Sequence, residues 1–232
     1  ENPFLRLKVK CKKEIVTMGK RDVDVECTGL HVGAERWNTL MEDPDCVLID
    51  TRNTYETCLG TFPGALDPNT VNFRDFPDFV DQNIEMLKTK KVAMFCTGGI
   101  RCEKASAYVR QLGVKEVYQL DGGILNYLET VNAKDNKWQG ECFIFDERVS
   151  LNPKLAPSSR KQCFACRWPL QDGDEDSEAY VPGVSCPRCI NQTSDVQKSR
   201  FRQREKQIQI AKKRGGKHLG GQLHKQLLDD IA

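Results

Sequence analysis

What this chain has little of narrows its reading before any motif does. None of its 232 residues form the apolar run of roughly 20 that a bilayer-crossing helix needs, and no basic segment leads into an apolar one in the secretory manner. The expected setting is the cytoplasm, with no membrane partner. Charge of one sign is scarce too: 35 basic against 33 acidic residues leave a net charge of +2. Bulk charge therefore does not announce nucleic acid, and its distribution matters more. The three histidines are His31, His218 and His224. None lies beside the cysteine loop described next, so a cysteine–histidine pair of the protease kind has no evident base. No segment looks like a haem, flavin or iron site, and no organic cofactor is expected. Cysteine, by contrast, is plentiful at 11 residues. They are spread along a long chain and include paired C-x2-C units, which reads as a reducing compartment rather than a disulfide scaffold.

One stretch organises the rest: Met94-Phe95-Cys96-Thr97-Gly98-Gly99-Ile100-Arg101-Cys102-Glu103-Lys104. Val92 to Phe95 is a short apolar run bounded by Lys91 and by glycines, the pattern of a buried strand, and a cysteine follows it. Gly98 and Gly99 permit a tight turn in which the backbone N–H groups of Thr97, Gly98, Gly99 and Ile100 converge. Cys102 to Leu112 reads as a helix, with Gly113 as its stop. This order sets the Cys96 thiol among N–H donors at a helix N-terminus, where anions bind and a thiol pKa falls; Arg101 adds positive charge. Cys96 and Arg101 are the catalytic candidates, and Thr97 to Ile100 the anion-binding turn. An inert cysteine beside a glycine turn is the alternative. Cys102 reads equally as a second thiol that resolves a persulfide or forms a disulfide, and as a small residue packing at a helix start.

Residues 28–132 alternate around this stretch as an α/β unit. A helix is expected over Ala34–Met41, a continuously apolar strand over Val47–Asp50, and a helix within Val71–Leu87 that breaks or begins near Pro77. Phe73, Phe76, Phe79, Val80, Ile84 and Leu87 belong to the core. Val114–Leu120 supplies another strand, and Asp121-Gly122-Gly123 turns into a last helix. The alternation predicts a central parallel sheet flanked by helices. Asp50 and Arg52 stand at a strand's C-terminal end, where such sheets build active sites; they are accessory candidates, or partners in a structural ion pair. Upstream, Phe4–Cys11 alternates apolar and basic residues as a half-buried strand does. Downstream, Cys142–Phe145 is strand-like, and Pro153 and Pro157 punctuate a linker over 133–160.

Cys163-x2-Cys166 and Cys186-x2-Cys189 then frame a module over 161–192. Two such pairs about twenty residues apart have the spacing of a tetrahedral four-cysteine zinc site, against disulfides or unpaired thiols. The intervening Asp-, Glu- and Gly-rich loop has little apolar content, so a structural zinc would supply its stability. Over 193–232 the chain turns basic: from Lys198 to Lys217, Lys198, Arg200, Arg202, Arg204, Lys206, Lys212, Lys213, Arg214 and Lys217 crowd a stretch whose one acid is Glu205. RNA phosphates are one natural partner, and a solvated helix is the plain alternative. Leu223, Leu227 and Ile231 form an i, i+4, i+8 stripe suited to docking.

Cys96-x4-Arg101 resembles the active-site loop of rhodanese domains, in which the cysteine carries a persulfide. Asp50-Thr51-Arg52-Asn53-Thr54-Tyr55-Glu56 is similar to their DxRxxxE signature, and Pro63-Gly64-Ala65 to their turn before a short strand. The longer match, Cys96 to Ser106 together with Gly140-Glu141-Cys142-Phe143-Ile144-Phe145-Asp146-Glu147-Arg148-Val149, resembles the rhodanese-like tRNA uridine hydroxylase family. That resemblance implies hydroxylation of the wobble uridine of tRNA to 5-hydroxyuridine, with molecular oxygen as co-substrate and tRNA as partner. Lys198, Arg200, Arg202, Arg204, Lys212, Lys213 and Arg214 would then bind RNA. It also implies an N-terminal ferredoxin-like domain, of which 1–27 would be the remnant and linker. The rival reading is a sulfurtransferase that passes sulfur from a Cys96 persulfide. A non-enzymatic RNA- or protein-binding module is the third.

Overall fold

The computed structural model describes residues 9–146 and 148–215. The chain divides into two compact units, one made of Lys10–Phe145 with Ser150–Ser158 and the other containing residues 159–215 of those described.

The first unit is built on β1 (Leu30–Val32), β2 (Cys46–Asp50), β4 (Lys91–Phe95) and β5 (Val117–Leu120), paired in the order β1-β5-β4-β2 with every pair parallel. Parallel strands need crossovers, and α1 (Ala34–Glu42), α3 (Phe76–Lys88) and α4 (Ile100–Gln111) supply them, while α5 (Gly123–Thr130) follows the last strand of the sheet. Both faces of β4 are buried, as its unbroken apolar run requires. Val92, Met94 and Cys96 join one core with Phe76 and Val80 of α3 and Ala105 and Val109 of α4. Ala93 and Phe95 join the other, with Trp37 and Leu40 of α1 and Ile124 and Tyr127 of α5. Strand alternation thus sorts neighbouring residues into opposite cores.

Pro77 begins a helix rather than breaking one. It sits in the first turn of α3, where its missing N–H costs nothing, after a 3-10 turn at Phe73–Asp75. The turn Pro63-Gly64-Ala65 leads to a single bridge, Leu66 to Ile49, instead of a strand. Gly113, at φ +98°, follows the last turn of α4. Residues 10–27 carry no regular element, yet Met18 is buried in the core and Glu14 pairs with Lys104. Within the stretch Phe4–Cys11, residues 9–11 form no strand and Val9 is exposed; residues 4–8 lie outside the described residues.

The segment after α5 packs on this unit instead of leaving it. Trp138 is buried with its ring 5.0 Å from that of Phe62. β6 (Gln139–Gly140) pairs with β3 (Gly60–Thr61), and β7 (Cys142–Phe143) with β8 (Ser150–Leu151), both antiparallel. A large aromatic side chain such as Trp138 gains more from burial than a linker would allow.

The second unit has a small core of Cys163, Leu170, Cys186 and Cys189, with Ala165, Cys166 and Tyr180 against it. Its helix α6 (Asp195–Lys213) opens with a capping box, Ser194 Oγ accepting from the Gln197 N–H while Gln197 Oε1 accepts from the Ser194 N–H at 2.8 Å. No described helix is long and apolar enough to cross a membrane. Lys217 and the stripe Leu223, Leu227, Ile231 lie outside the described residues.

Candidate functional site

β4 ends at Phe95, and the next residue, Cys96, is enclosed, with 2% of its surface exposed. The turn that covers it is fixed by its backbone. Gly99 takes φ +85°, a conformation that favours glycine, and α4 starts at the next residue, so Arg101 already belongs to the first turn. α5 closes the other side. The N–H of Ile124 donates to Cys96 O at 2.9 Å and that of Leu125 to Thr97 O at 3.1 Å. Gly123 makes this approach possible, since a Cβ there would stand 2.5 Å from Cys96 O and 2.7 Å from Gly99 N. Among the described residues, the N–H groups of Gly98, Gly99 and Ile100 have no backbone acceptor, as expected at a helix start. Gly98 and Ile100 are the exposed members of the turn; Thr97 is buried.

The sulfur at the base of this turn is held below its ordinary pKa. The Cys102 thiol hydrogen-bonds to it, burial opposes, and the Arg101 charge and the N–H groups of Cys102 and Arg101 add to the lowering. Cys102 itself, fully buried, is pushed up by that burial and by donating to Cys96. Its sulfur lies 3.5 Å from Thr51 Oγ1. The two sulfurs thus shift in opposite directions, Cys96 towards the thiolate and Cys102 towards the protonated thiol.

Arg101 is set by Glu56, a fully buried carboxylate that closes the DxRxxxE stretch and that sequence alone does not place in the site. Arg101 Nη1 donates to Glu56 Oε2 at 2.7 Å and Nη2 to Oε1 at 2.6 Å, a bidentate pair. Burial works against the Arg101 charge, but its bonds to Glu56 and the attraction of that carboxylate outweigh this and raise its pKa. Thr97 Oγ1 also donates to Glu56 Oε1, at 3.3 Å, and the Asn53 N–H donates to Oε2 at 3.1 Å. One carboxylate thus ties α2 (Thr54–Thr57), the turn and α4 together. A signal for it exists in the sequence, since an acid closing the DxRxxxE stretch falls where the arginine of the loop needs a partner.

Asp50 and Arg52 stand apart from the sulfur's hydrogen bonds. Arg52 is fully buried, donating Nε–H to Asp50 Oδ1 at 2.8 Å and Nη2–H to Asp50 Oδ2 at 2.5 Å and Gly60 O at 2.6 Å. Its guanidinium also lies 5.1 Å from the Trp138 ring. The geometry makes them a structural ion pair that pins β2 to β3, because a buried charge needs a partner at once. Beside Arg101 runs an aromatic row. Tyr55 and Phe143 meet edge to face at 5.3 Å, as do Phe143 and Phe145, and the guanidinium of Arg101 lies 5.8 Å from the largely exposed Phe145 ring. An open cleft lined by Met41, Pro63, Asn136, Lys137, Trp138 and Gln139 includes none of these groups.

In the second unit, Cys163, Cys166, Cys186 and Cys189 bring their sulfurs within 4.8 Å of one another. Cys163 to Cys189 is 3.9 Å, Cys166 to Cys186 3.8 Å, and Cys186 to Cys189 3.7 Å. A tetrahedron with Zn–S bonds of about 2.3 Å has edges of about 3.8 Å, so this donor set fits a metal such as zinc, with all four positions filled by thiols. On α6, Arg200, Arg202, Lys212, Lys213 and Arg214 are exposed and Lys198 is half-buried. Arg204 is committed elsewhere: its Nη2 donates to Phe164 O at 3.0 Å and Gly183 O at 2.8 Å, which docks the helix on the cysteine module.

The first unit is thus a parallel sheet covered on both faces, with an enclosed cysteine between an inner strand and a helix. Residues 34–130 match the family model of the Rhodanese-like domain, and this part of the chain has the rhodanese-like α/β fold, a central parallel sheet flanked by helices. Among solved structures, the chain is similar to the rhodanese-like domain of an Anabaena sp. protein, with 21% identity, 47% of this chain and 78% of that one covered, and a TM-score of 0.38. A rhodanese-like domain protein of Staphylococcus aureus shares 22% identity over 42% of this chain and 90% of its own, with a TM-score of 0.34. A Rhodopseudomonas palustris protein of unknown function, described as a possible tyrosine phosphatase, shares 18% identity over 45% and 83%, also at 0.34.

Proposed function

We propose that this protein hydroxylates the wobble uridine of tRNA to 5-hydroxyuridine, with molecular oxygen as co-substrate and Cys96 as the reacting group. The observation that carries the reading is the enclosed Cys96 at the base of a turn whose Gly98, Gly99 and Ile100 N–H groups have no backbone acceptor, next to an Arg101 clamped by Glu56; this setting lowers the pKa of the thiol. A thiolate is the nucleophilic form, able to react as itself, as a persulfide, or by adding to the uracil ring so that C5 becomes electron-rich. Arg101, clamped by Glu56, and the turn Thr97–Ile100 offer charge and donors to a phosphate or a developing anion. The row Tyr55, Phe143, Phe145 offers faces on which an unstacked base can lie.

The resemblance of the segments Cys96–Ser106 and Gly140–Val149 to the hydroxylase family supports the substrate. So does the basic helix: Lys198, Arg202 and Lys206 recur at i, i+4 and i+8 along one side of α6, a spacing that lines up cations for successive phosphates. Zinc held by Cys163, Cys166, Cys186 and Cys189 would fix the module from which α6 projects, a structural role because no coordination position is left for substrate.

Sulfur transfer from a Cys96 persulfide is the second reading, favoured by the loop length Cys96-x4-Arg101 and by the rhodanese-like domain itself. Nucleoside mass spectrometry of bulk tRNA separates the two. In a strain lacking the gene, 5-hydroxyuridine and its derivatives should return with the full-length protein and not with its Cys96→Ala variant. Levels that never depended on the gene would remove the hydroxylase reading. Thiocyanate formation from thiosulfate and cyanide, dependent on Cys96, would then establish the sulfurtransferase.

A further inference from the structure

The second unit carries an exposed aromatic ring among arginines that the reaction proposed above does not use. Phe164, inside the first C-x2-C knuckle, keeps 52% of its surface open, although its neighbours Cys163 and Ala165 pack into the small core of the module. The Arg167 guanidinium lies 5.4 Å from the centre of this ring, and Arg167 is itself exposed. Its backbone closes the knuckle, the N–H donating to Cys163 O at 2.7 Å, and does so at φ +67°, a conformation that favours glycine. An arginine kept at such a position points to a use for its side chain.

The carbonyl of Phe164 accepts from Arg204 of α6, and the Arg204 guanidinium lies 5.0 Å from the Phe201 ring. The series Arg167, Phe164, Arg204, Phe201 is therefore continuous, cation and aromatic in turn. Arg200, one turn before Arg204 on the same side of α6, is exposed. That side is not the one that carries Lys198, Arg202 and Lys206. In the second knuckle, the Arg188 guanidinium stacks on the Trp168 ring at 3.1 Å. Neither Arg167 nor Arg188 has a carboxylate partner among the described residues, whereas Lys161 is paired with Glu175.

We propose that this face of the cysteine module is a binding site for single-stranded nucleic acid, with an unstacked base lying on the Phe164 ring and the flanking phosphates on Arg167 and Arg200. The chemistry of the face selects this partner. A duplex keeps its bases stacked and offers mainly phosphates, for which an exposed ring has no use. An acidic peptide would engage the cations and leave the ring idle. Arginine suits both parts of a single strand, because its plane stacks on rings and its fork fits phosphate. Every base has a π-face, so the site should tolerate sequence. This chemistry is common to RNA and DNA; the choice of RNA rests on the proposed function, and the site itself does not.

The test is fluorescence anisotropy of the full chain with short labelled strands of oligouridylate and oligothymidylate, and with a duplex of oligothymidylate and oligoadenylate. Both single strands should bind more tightly than the duplex. Phe164→Ala should weaken single-strand binding roughly 5- to 150-fold, the range of one base–aromatic stack, and Phe164→Trp should restore it. Arg167→Gly, which suits the backbone at that position, should also weaken binding, while amide exchange through residues 161–192 becomes no faster than in the wild type. Oligothymidylate bound as well as oligouridylate would support the stacking site and remove only a preference for RNA. No measurable binding, affinity unchanged by Phe164→Ala or by Arg167→Gly, a Phe164→Trp protein as weak as Phe164→Ala, or a duplex bound as tightly as the single strands would each overturn the proposal. A chain that binds in this way and yet makes no 5-hydroxyuridine would refute the hydroxylase reading and leave the site standing.

Discussion

Cys96 and the cluster of Cys163, Cys166, Cys186 and Cys189 put the same side chain to different uses, and the difference lies in what surrounds the sulfur. Around Cys96 the partners are donors: a thiol, two backbone N–H groups and an arginine held by a buried carboxylate. They stabilise a negative sulfur without sharing its electrons, so it stays a nucleophile. Around each sulfur of the cluster the partners are other sulfurs, at 3.7 to 3.9 Å for the closest pairs. Donors of that kind and spacing suit a metal ion, and a thiolate bound in a filled tetrahedron is a structural ligand. The supporting cores differ in the same sense. A sheet buried on both faces supports the first site, while the few apolar residues of the second leave room for a metal to contribute the stability.

The largest expected effect breaks the comparison at its reactive end. Cys96→Ala should reduce 5-hydroxyuridine in tRNA to the level of the gene-deleted strain while the far-ultraviolet spectrum stays native. At the other end, one equivalent of zinc should be measurable by elemental analysis, and Cys186→Ser or a strong chelator should remove it. Apparent zinc affinities of this kind are worth about 10–16 kcal/mol at neutral pH, so amide exchange should rise through residues 161–192 and stay low in β4.

Glu56→Gln probes how Arg101 is held. Removing one partner of a buried ion pair costs about 3–5 kcal/mol, which should appear as a lower urea midpoint, with the conservative Glu56→Asp recovering part of it. A smaller effect is expected from Cys102→Ala on the Cys96 titration. That substitution deletes the main donor to the thiolate, so the Cys96 pKa rises towards the ordinary thiol range and alkylation at neutral pH slows. The smallest effect is expected on α6. Replacing Lys198, Arg202 and Lys206 by glutamine should flatten the salt dependence of tRNA binding, by up to about 0.9 in log–log slope for each phosphate no longer neutralised.

The legible parts of this chain were those that periodicity or spacing writes locally. Val92–Phe95 reads as a strand because its run is apolar and short, and the glycines after it announce the turn. The two C-x2-C pairs announce their cluster because each knuckle is a local device. What stayed hidden needed the third dimension. The partner of Arg101 is Glu56, reached only because β2 and β4 are neighbours in the sheet. Asp50 and Arg52 read by position either as site residues or as partners in an ion pair, and the structure makes them each other's counter-ions. The segment around Trp138 looks like a linker by its prolines and polar residues, yet its ring completes an aromatic core. Arg204 is indistinguishable in sequence from its basic neighbours, and only the carbonyls of Phe164 and Gly183 set it apart.

The most direct test of the central claim is the pH dependence of cysteine alkylation in the native protein, read site by site by peptide mass spectrometry with a small alkylating reagent. The account predicts that Cys96, despite its enclosure, is modified with a midpoint well below that of a free thiol such as glutathione, and that Cys102 and Cys142 stay unmodified across the same range. A Cys96 that titrates with or above the free thiol, or that remains unmodified while Cys102 reacts, would contradict it.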